Sequence, residues 1–221
     1  MCLAWSACAA VLIYALPRAT AAALGRRVIS CGFRLYAGML SAIGAYRLDL
    51  SELDALRGGP PLILAPNHPS LIDALLILSR APDAACVMKA ALLRNPLLGA
   101  GARLARYVAN DSPRQMVTES VRILRGGTSL LLFPEGTRTE RPPINTLAAG
   151  IGLIAKRAGV PVQTLLIETD SGFLGKGWPL WRAPRLPIAY RVRLGERFAP
   201  GADAAALVAD LDRYFRDTLE R

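Results

Sequence analysis

Histidine is nearly absent from these 221 residues: His68 is the only one. Lysine is almost as scarce, since only Lys89, Lys156 and Lys176 stand among 27 basic residues, so arginine carries the net charge of +10. The four cysteines, Cys2, Cys8, Cys31 and Cys86, form no CxxC pair. A lone histidine and unpaired cysteines exclude a zinc site of the usual Cys/His kind, and no metal is expected. Three of the thiols sit in apolar N-terminal sequence, where free cysteine behaves as a small hydrophobe, and this usage fits a reducing, cytoplasmic setting. The positive charge is not gathered into a cluster interleaved with aromatics, and no nucleic-acid-binding signature is present. The charge therefore points to anionic lipid or an acidic protein, not to nucleic acid. With 52% hydrophobic and 20% charged residues, a disordered or collagen-like chain is excluded. The length suits one large α/β domain with a sizeable core.

Acidic residues are missing altogether before Asp49, and Met1 to Pro17 carries no charge of either sign. Arg18, Arg26, Arg27 and Arg34 then punctuate a second apolar stretch that ends near Tyr46. A signal peptide places its positive charge before the apolar core, whereas here the arginines follow it. A spanning helix needs ~20 apolar residues, more than Cys2 to Leu16 supplies, and Arg34 interrupts the second stretch. The expectation is a helical hairpin over residues 1–48 that lies in one leaflet, its arginines reaching anionic headgroups. A single true span is the alternative. So is a helix pair buried against the body, which would leave the arginines without an obvious purpose. Asp49 to Gly59 is polar and glycine-terminated, so the body is placed at residues 49–221.

Within the body, strand and helix signals alternate. Leu62 to Ala65, Cys86 to Met88, Tyr107 to Ala109, Ser129 to Phe133, Val162 to Glu168 and Ile188 to Leu194 read as short, mostly apolar strands. Helical stretches fall near Leu71 to Ser79, Pro96 to Ala105, Arg114 to Arg125, Leu147 to Arg157 and Ala204 to Leu219. The helix after Ser112-Pro113 is closed by Gly126-Gly127. The fold class is α/β, a mostly parallel mixed sheet flanked by helices and preceded by the membrane-associated hairpin. Chemistry in such sheets sits at the carboxyl ends of strands.

Two stretches at those ends carry candidate chemistry. The first is Pro66-Asn67-His68-Pro69-Ser70-Leu71-Ile72-Asp73. Pro69 holds His68 extended, and Asp73 in the first helical turn can fold back on the imidazole. An Asp behind a His fixes its tautomer and leaves the other nitrogen free to take a proton. Alone, this would read as a solvated turn histidine beside a helix-capping acid. The second stretch is Phe133-Pro134-Glu135-Gly136-Thr137-Arg138-Thr139. Here Gly136 lets backbone amides approach an anion, Arg138 can hold a phosphate bidentately and Thr137 adds a hydroxyl. Alone, it would be an ordinary polar turn.

Together, an N-H-x4-D turn followed by F-P-E-G-T-R resembles the lysophospholipid acyltransferase family, which includes 1-acylglycerol-3-phosphate acyltransferases. Lys89 with Pro96 and Gly99, and Gly159-Val160-Pro161-Val162, extend the resemblance over about Pro60 to Ile167. It implies that His68, supported by Asp73, deprotonates the hydroxyl of a lysolipid acceptor. That oxygen then attacks an acyl thioester of acyl carrier protein or coenzyme A directly, without an acyl-enzyme or bound cofactor. It also places Asn67, Glu135, Gly136, Thr137 and Arg138 with the substrate, and the enzyme on the cytoplasmic face of a bacterial inner membrane. Two positions depart from the family: an acid, Asp111, stands near an expected arginine, and a basic residue is missing around Asn145-Thr146. Fewer cations weaken phosphate binding unless Arg106, Arg114 or Arg141 substitutes, which leaves other lysolipids or a non-phosphate hydroxyl open as acceptor, and a non-catalytic lipid-binding relative as the alternative of another class.

Three weaker signals remain. Gly150-Ile151-Gly152-Leu153-Ile154-Ala155 matches a dinucleotide fingerprint but follows a polar loop, not a buried strand. Ser70 as a nucleophile would need His68 two residues away, and it reads better as a helix cap. Trp178 and Trp181, among Lys176, Arg182 and Arg185, suit a bilayer interface or an acyl-chain entrance, or simply a loop packed over the sheet.

Overall fold

A computed structural model describes residues 2–179 and 181–220; Met1, Leu180 and Arg221 lie outside the described residues. The chain opens with helices α1 (Cys2–Ala15) and α2 (Arg18–Ala42), separated by Pro17, which cannot continue a helix. Strand β1 (Tyr46–Asp49) and a 3-10 turn (Ser51–Leu56) lead to β2 (Ile63–Pro66), α3 (Asp73–Arg80), β3 (Ala85–Met88), α4 (Ala90–Leu93), α5 (Gly99–Leu104) and β4 (Val108–Ala109). Then follow α6 (Pro113–Arg125), β5 (Leu130–Leu131), α7 (Gly150–Ala158), β6 (Val162–Thr169), β7 (Ile188–Phe198) and α8 (Ala204–Leu219).

The strands form one seven-stranded sheet in the order β1-β7-β6-β2-β5-β3-β4. All pairings are parallel except β6 with β7, so β1 and β7 run against the other five. This is the mixed, mostly parallel α/β sheet that the strand–helix alternation predicts. Its central strands are apolar on both faces because helices cover both. Ile63, Ala65, Leu130 and Ala85 pack with Val117, Leu124, Ile154, Leu211 and Phe215 on the α6–α7–α8 side. Their neighbours Leu64, Leu131 and Cys86 point the other way, to Leu76, Ile77 and Ala37 on the α2–α3 side. Burial pushes the Cys86 thiol up to about 12, which leaves it an inert hydrophobe.

The dinucleotide-like glycines serve packing. A Cβ on Gly152 would come within 2.2 Å of the Ala204 carbonyl oxygen, so α7 and the start of α8 touch backbone to backbone there.

The N-terminal helices depart from the arrangement expected of them. No helix among the described residues is long and apolar enough to cross a membrane. Helix α1 packs on α5, α2 packs on α3 and α5, and the expected boundary at 48/49 cuts through β1, which is a strand of the main sheet. Two of the four arginines, Arg26 and Arg34, hydrogen-bond to the body, while the Arg27 side chain stays 70% exposed. Arg26 is half-buried and reaches the Ala105 carbonyl and Thr128 hydroxyl at 3.5 Å each. Arg34 Nε donates to the Ser79 carbonyl at 3.2 Å, at the end of α3, and Arg27 lies 3.7 Å from Asp83. Carbonyls at helix ends carry partial negative charge, which gives Arg26 and Arg34 a partner in the body.

Candidate active site

Strands β6, β2 and β5 are neighbours running in the same direction, so the loops that leave their carboxyl ends meet at one rim. His68 leaves β2, the Phe133–Thr139 turn leaves β5, and the Ser171–Trp178 loop leaves β6.

His68 Nδ1 lies 2.8 Å from Asp73 Oδ2, and the same oxygen accepts the Ser70 N–H at 2.8 Å. Helix α3 starts at Asp73 itself, so the carboxylate caps the turn before it, and Ser70 is the capped residue, not the cap. The Asp73 side chain is 0% exposed and that of His68 16%. Burial pushes the Asp73 carboxyl above its ordinary value, opposed by the bonds from His68 and Ser70. With Nδ1–H directed at the carboxylate, Nε2 is the nitrogen left with a free lone pair. The Phe133 ring stacks on the imidazole with centroids 3.8 Å apart and the ring planes 25° from parallel. Ser70 Oγ donates to the Phe173 carbonyl at 3.0 Å, which takes it out of nucleophile geometry.

The β5 turn holds the histidine backbone. His68 N–H donates to Glu135 Oε1 at 2.9 Å, and Thr139 N–H donates to the His68 carbonyl at 2.8 Å. Glu135 is buried and accepts two further bonds, from Thr139 Oγ1 at 2.8 Å and from the Asn145 N–H at 2.9 Å. Its carboxylate is thus occupied by the chain itself. The same holds for Asn67, whose side-chain amide bridges to β6 by donating to the Ile167 carbonyl at 3.0 Å and accepting the Ile167 N–H at 2.7 Å. Gly136 has φ +69, a conformation the turn needs and other residues resist.

Thr137 and Arg138 lie on the outer part of the turn. Arg138 Nη1 donates to the carbonyls of Leu174 and Gly175 at 2.7 and 3.0 Å, which ties the β5 turn to the β6 loop. Lys176, which no motif marked, donates to Thr137 Oγ1 at 3.3 Å and pairs with Glu140 at 2.8 Å. Asn145, at the position where a basic residue is missing, stitches the loop instead. Its Oδ1 accepts the N–H groups of Glu140 and Arg141, and its Nδ2 donates to the Arg138 carbonyl at 3.1 Å. Asp111 lies 3.8 Å from Arg94, while Arg106 lines a separate hollow with Arg103 and Arg122 beside the β4 edge. Phe173 and Trp178 meet edge to face, Arg182 lies over the Trp178 ring, and Trp181 is 88% exposed.

A His–Asp pair at the rim of an α/β sheet, with no serine or cysteine poised to attack among the described residues, is an arrangement that can support general-base chemistry. The chain belongs to the acyltransferase family, whose sequence profile, described as Acyltransferase, matches residues 47–168. It is similar to a 1-acyl-sn-glycerol-3-phosphate acyltransferase of Pseudomonas aeruginosa, 22% identical over 83% of this chain and 70% of that protein. It is also similar to the chloroplastic 1-acyl-sn-glycerol-3-phosphate acyltransferase BAT2 of Brassica napus, 27% identical over 55% of this chain but only 37% of that one. An uncharacterized acyltransferase of Schizosaccharomyces pombe is 29% identical over 62% of this chain and 52% of its own length. The chain therefore spans between about a third and about half the length of those two relatives. The fold matches the crystal structure of the 1-acyl-sn-glycerophosphate acyltransferase PlsC from Thermotoga maritima with a TM-score of 0.68, at 21% identity over 88% of this chain and 80% of that one.

Proposed function

We propose that this protein is a membrane-associated O-acyltransferase. It moves a fatty acyl group from a thioester of acyl carrier protein or coenzyme A to the free hydroxyl of a lysophospholipid such as 1-acyl-sn-glycerol-3-phosphate. The observation that carries this reading is the 2.8 Å contact between His68 Nδ1 and the fully buried Asp73, set against the Glu135–Arg138 turn. His68 Nε2 takes the acceptor's proton as its oxygen attacks the thioester carbonyl. The tetrahedral centre then collapses, the C–S bond breaks, and the leaving thiolate takes the proton back from the imidazolium. Asp73 holds the tautomer and steadies the imidazolium, and the Phe133 face lies against the same ring.

Glu135 and Asn67 contribute by fixing the backbone on which His68 rides, while Thr137, Arg138 and Lys176 form the part of the turn that can meet a headgroup. The relatives' names support a phosphate-bearing acceptor. A hydroxyl acceptor without phosphate is the second reading, favoured by the engagement of Arg138 Nη1 with two carbonyls and of Lys176 with Glu140. The reading includes the cytoplasmic face of a bacterial inner membrane; what supports membrane association itself is the apolar stripe on α2 and just beyond it. Leu35, Met39 and Ile43, four residues apart, are 63%, 50% and 68% exposed.

The test incubates detergent-solubilised protein and its His68→Ala variant with a labelled long-chain acyl thioester and lysophosphatidic acid, following the diacyl product by mass spectrometry. The wild type forms product, and His68→Ala is slower by about 10²–10⁴-fold. Thioester consumption that depends on His68 only when a neutral lysolipid is supplied would establish the second reading. Turnover by His68→Ala close to wild type would remove His68 as the base.

A further inference from the structure

After Asp170, the connection from β6 to β7 carries no acidic residue. It leaves and returns at the catalytic rim, because β6 ends there and β7, antiparallel to it, begins there. Its first half is packed down. Phe173 lies against the α2–α3 side of the core, Trp178 meets it edge to face with ring centroids 5.8 Å apart, and the Trp178 indole N–H donates to the Arg182 carbonyl at 3.0 Å. The second half is displayed. The Arg182 N–H donates to the Pro179 carbonyl at 3.0 Å, and Trp181, held just before it, is the 88% exposed tryptophan of the rim. Leu186, at the end of the loop, is 60% exposed. A large aromatic side chain held in water forgoes the burial its size offers, and two such apolar groups on one loop mark a contact surface.

The loop is continuous with the exposed stripe of α2. The Ile188 N–H donates to the Ala45 carbonyl at 2.9 Å, and Ile188 pairs in register with Tyr46. Leu186, two residues before that donor, and Ile43, two residues before its acceptor, therefore flank one junction. Leu35, Met39 and Ile43 thus lead up to the loop along one border of the rim. The charge beside it has one free sign. Lys176 is held by Thr137 and Glu140, and Asp170 accepts the Ala189 N–H at 2.9 Å. Arg182 and Arg185 are exposed and form no ion pair among the described residues, and the Arg182 guanidinium lies 4.9 Å over the Trp178 ring. Pro179, Pro184 and Pro187 restrict the backbone, which lessens the entropy lost when the loop's side chains are fixed by a partner. Resting on the reading of the protein as membrane-associated, we infer that this loop is a second membrane contact, with Trp181 and Leu186 entering an anionic bilayer surface and Arg182 and Arg185 meeting its phosphates. The contact seats the bilayer against the rim that carries His68, so an acceptor lipid reaches the imidazole without leaving its leaflet.

The experiment uses the full chain with vesicles of phosphatidylglycerol and phosphatidylethanolamine, and with neutral phosphatidylcholine vesicles for comparison. The chain has three tryptophans, so the difference in emission between wild type and Trp181→Ser at saturating lipid isolates Trp181. That difference should shift to the blue on the anionic vesicles and be quenched by lipids brominated on their acyl chains. In co-sedimentation, Trp181→Ser and Leu186→Ser should each bind the anionic vesicles roughly ten-fold more weakly. Arg185→Gln should lose roughly five-fold on anionic vesicles and nothing on neutral ones. Trp181→Ser should keep the wild-type Tm and the wild-type rate on a short-chain lysolipid dispersed as monomers, while its rate on acceptor embedded in vesicles falls. His68→Ala should bind vesicles as wild type does, so the contact stands or falls apart from the role of His68. Wild-type vesicle binding with Trp181 unquenched, and with both serine variants bound equally well, would overturn the loop contact and leave membrane association through α2 standing. Failure of the wild type to bind either kind of vesicle would overturn both.

Discussion

Asp73→Asn should separate stability from catalysis, moving them in opposite directions. The wild-type carboxylate is wholly buried, and burial raises its pKa, which means that the fold disfavours the charged form relative to the unfolded chain. A raised folded-state pKa contributes stability that is fully present below the unfolded value, about 3.9, and is lost as pH rises through the folded value. The isosteric amide has no charge to bury. Wild type and variant should therefore melt alike near pH 3.5, with the variant gaining over wild type as pH climbs past 4 and the gain levelling off once Asp73 is ionised. Catalysis goes the other way. If the amide oxygen faces Nδ1 and the Ser70 N–H, the tautomer survives but the imidazolium loses its counter-charge. If the amide nitrogen faces them, it opposes the Ser70 N–H and forces the proton onto Nε2, which removes the base. Replacing the aspartate of a His–Asp pair by Asn costs on the order of 10⁴-fold in kcat, about 5.5 kcal/mol of transition-state stabilisation. The assay is thermal unfolding across pH beside initial rates of diacyl product. A variant that melts below wild type at pH 7 would refute the account of the buried charge, and one within ten-fold of wild-type activity would refute the account of the pair.

Two further substitutions address the scaffold. Gly152→Ala places a methyl 2.2 Å from the Ala204 carbonyl and should lower stability by about 1–3 kcal/mol, read as a fall in Tm, while activity per folded molecule is retained. Arg26→Met should hold or raise Tm, because burial already disfavours the Arg26 charge and its two bonds, at 3.5 Å, are long. Binding to anionic vesicles should be unchanged by Arg26→Met and weakened by Arg18→Ala, since Arg18 is exposed; a loss caused by Arg26→Met would mean that its side chain faces lipid.

The parts of this fold that were legible in the sequence are those where apolar runs and turn residues agree. Strands β2 and β6 and helices α6 and α8 fall within a residue of the expected ranges, because each is either a continuous buried run or an amphipathic helix, begun by Pro113 in α6, where Ser112 makes no side-chain cap, and capped by Asp203 in α8. Strand β1 was not legible. Its four residues include Arg47 and Asp49, and as the edge strand of the sheet it needs little apolar content. Strand β5, Leu130–Leu131, is shorter than its apolar run, and Phe133 beyond its end stacks on His68. The pairing of His68 with Asp73 was readable, since their spacing lies within one turn and its chain entry. The occupation of Glu135 by His68, Thr139 and Asn145 was not, because it depends on which of two adjacent loops supplies the donors. Nor could composition tell that Arg26 and Arg34 would turn inward. That depended on α2 coming to rest beside the ends of α5 and α3, where carbonyls wait for donors.

The bonds that knit the site's rim impose an order on its assembly. Asn67 grips Ile167, Leu71 N–H reaches the Leu174 carbonyl, and Arg138 reaches Leu174 and Gly175. Each links segments far apart in the chain, and all of them require the stretch between residues 167 and 175. A ribosome that has delivered both motifs, His68 to Asp73 and Phe133 to Thr139, has still not made a site. The nascent chain carries every group proposed for the chemistry well before β6 and its loop emerge to hold them in place. Premature termination ahead of that loop should therefore release an inert polypeptide with its catalytic vocabulary complete, and insertions should be tolerated near Trp181 long before they are tolerated at Phe173.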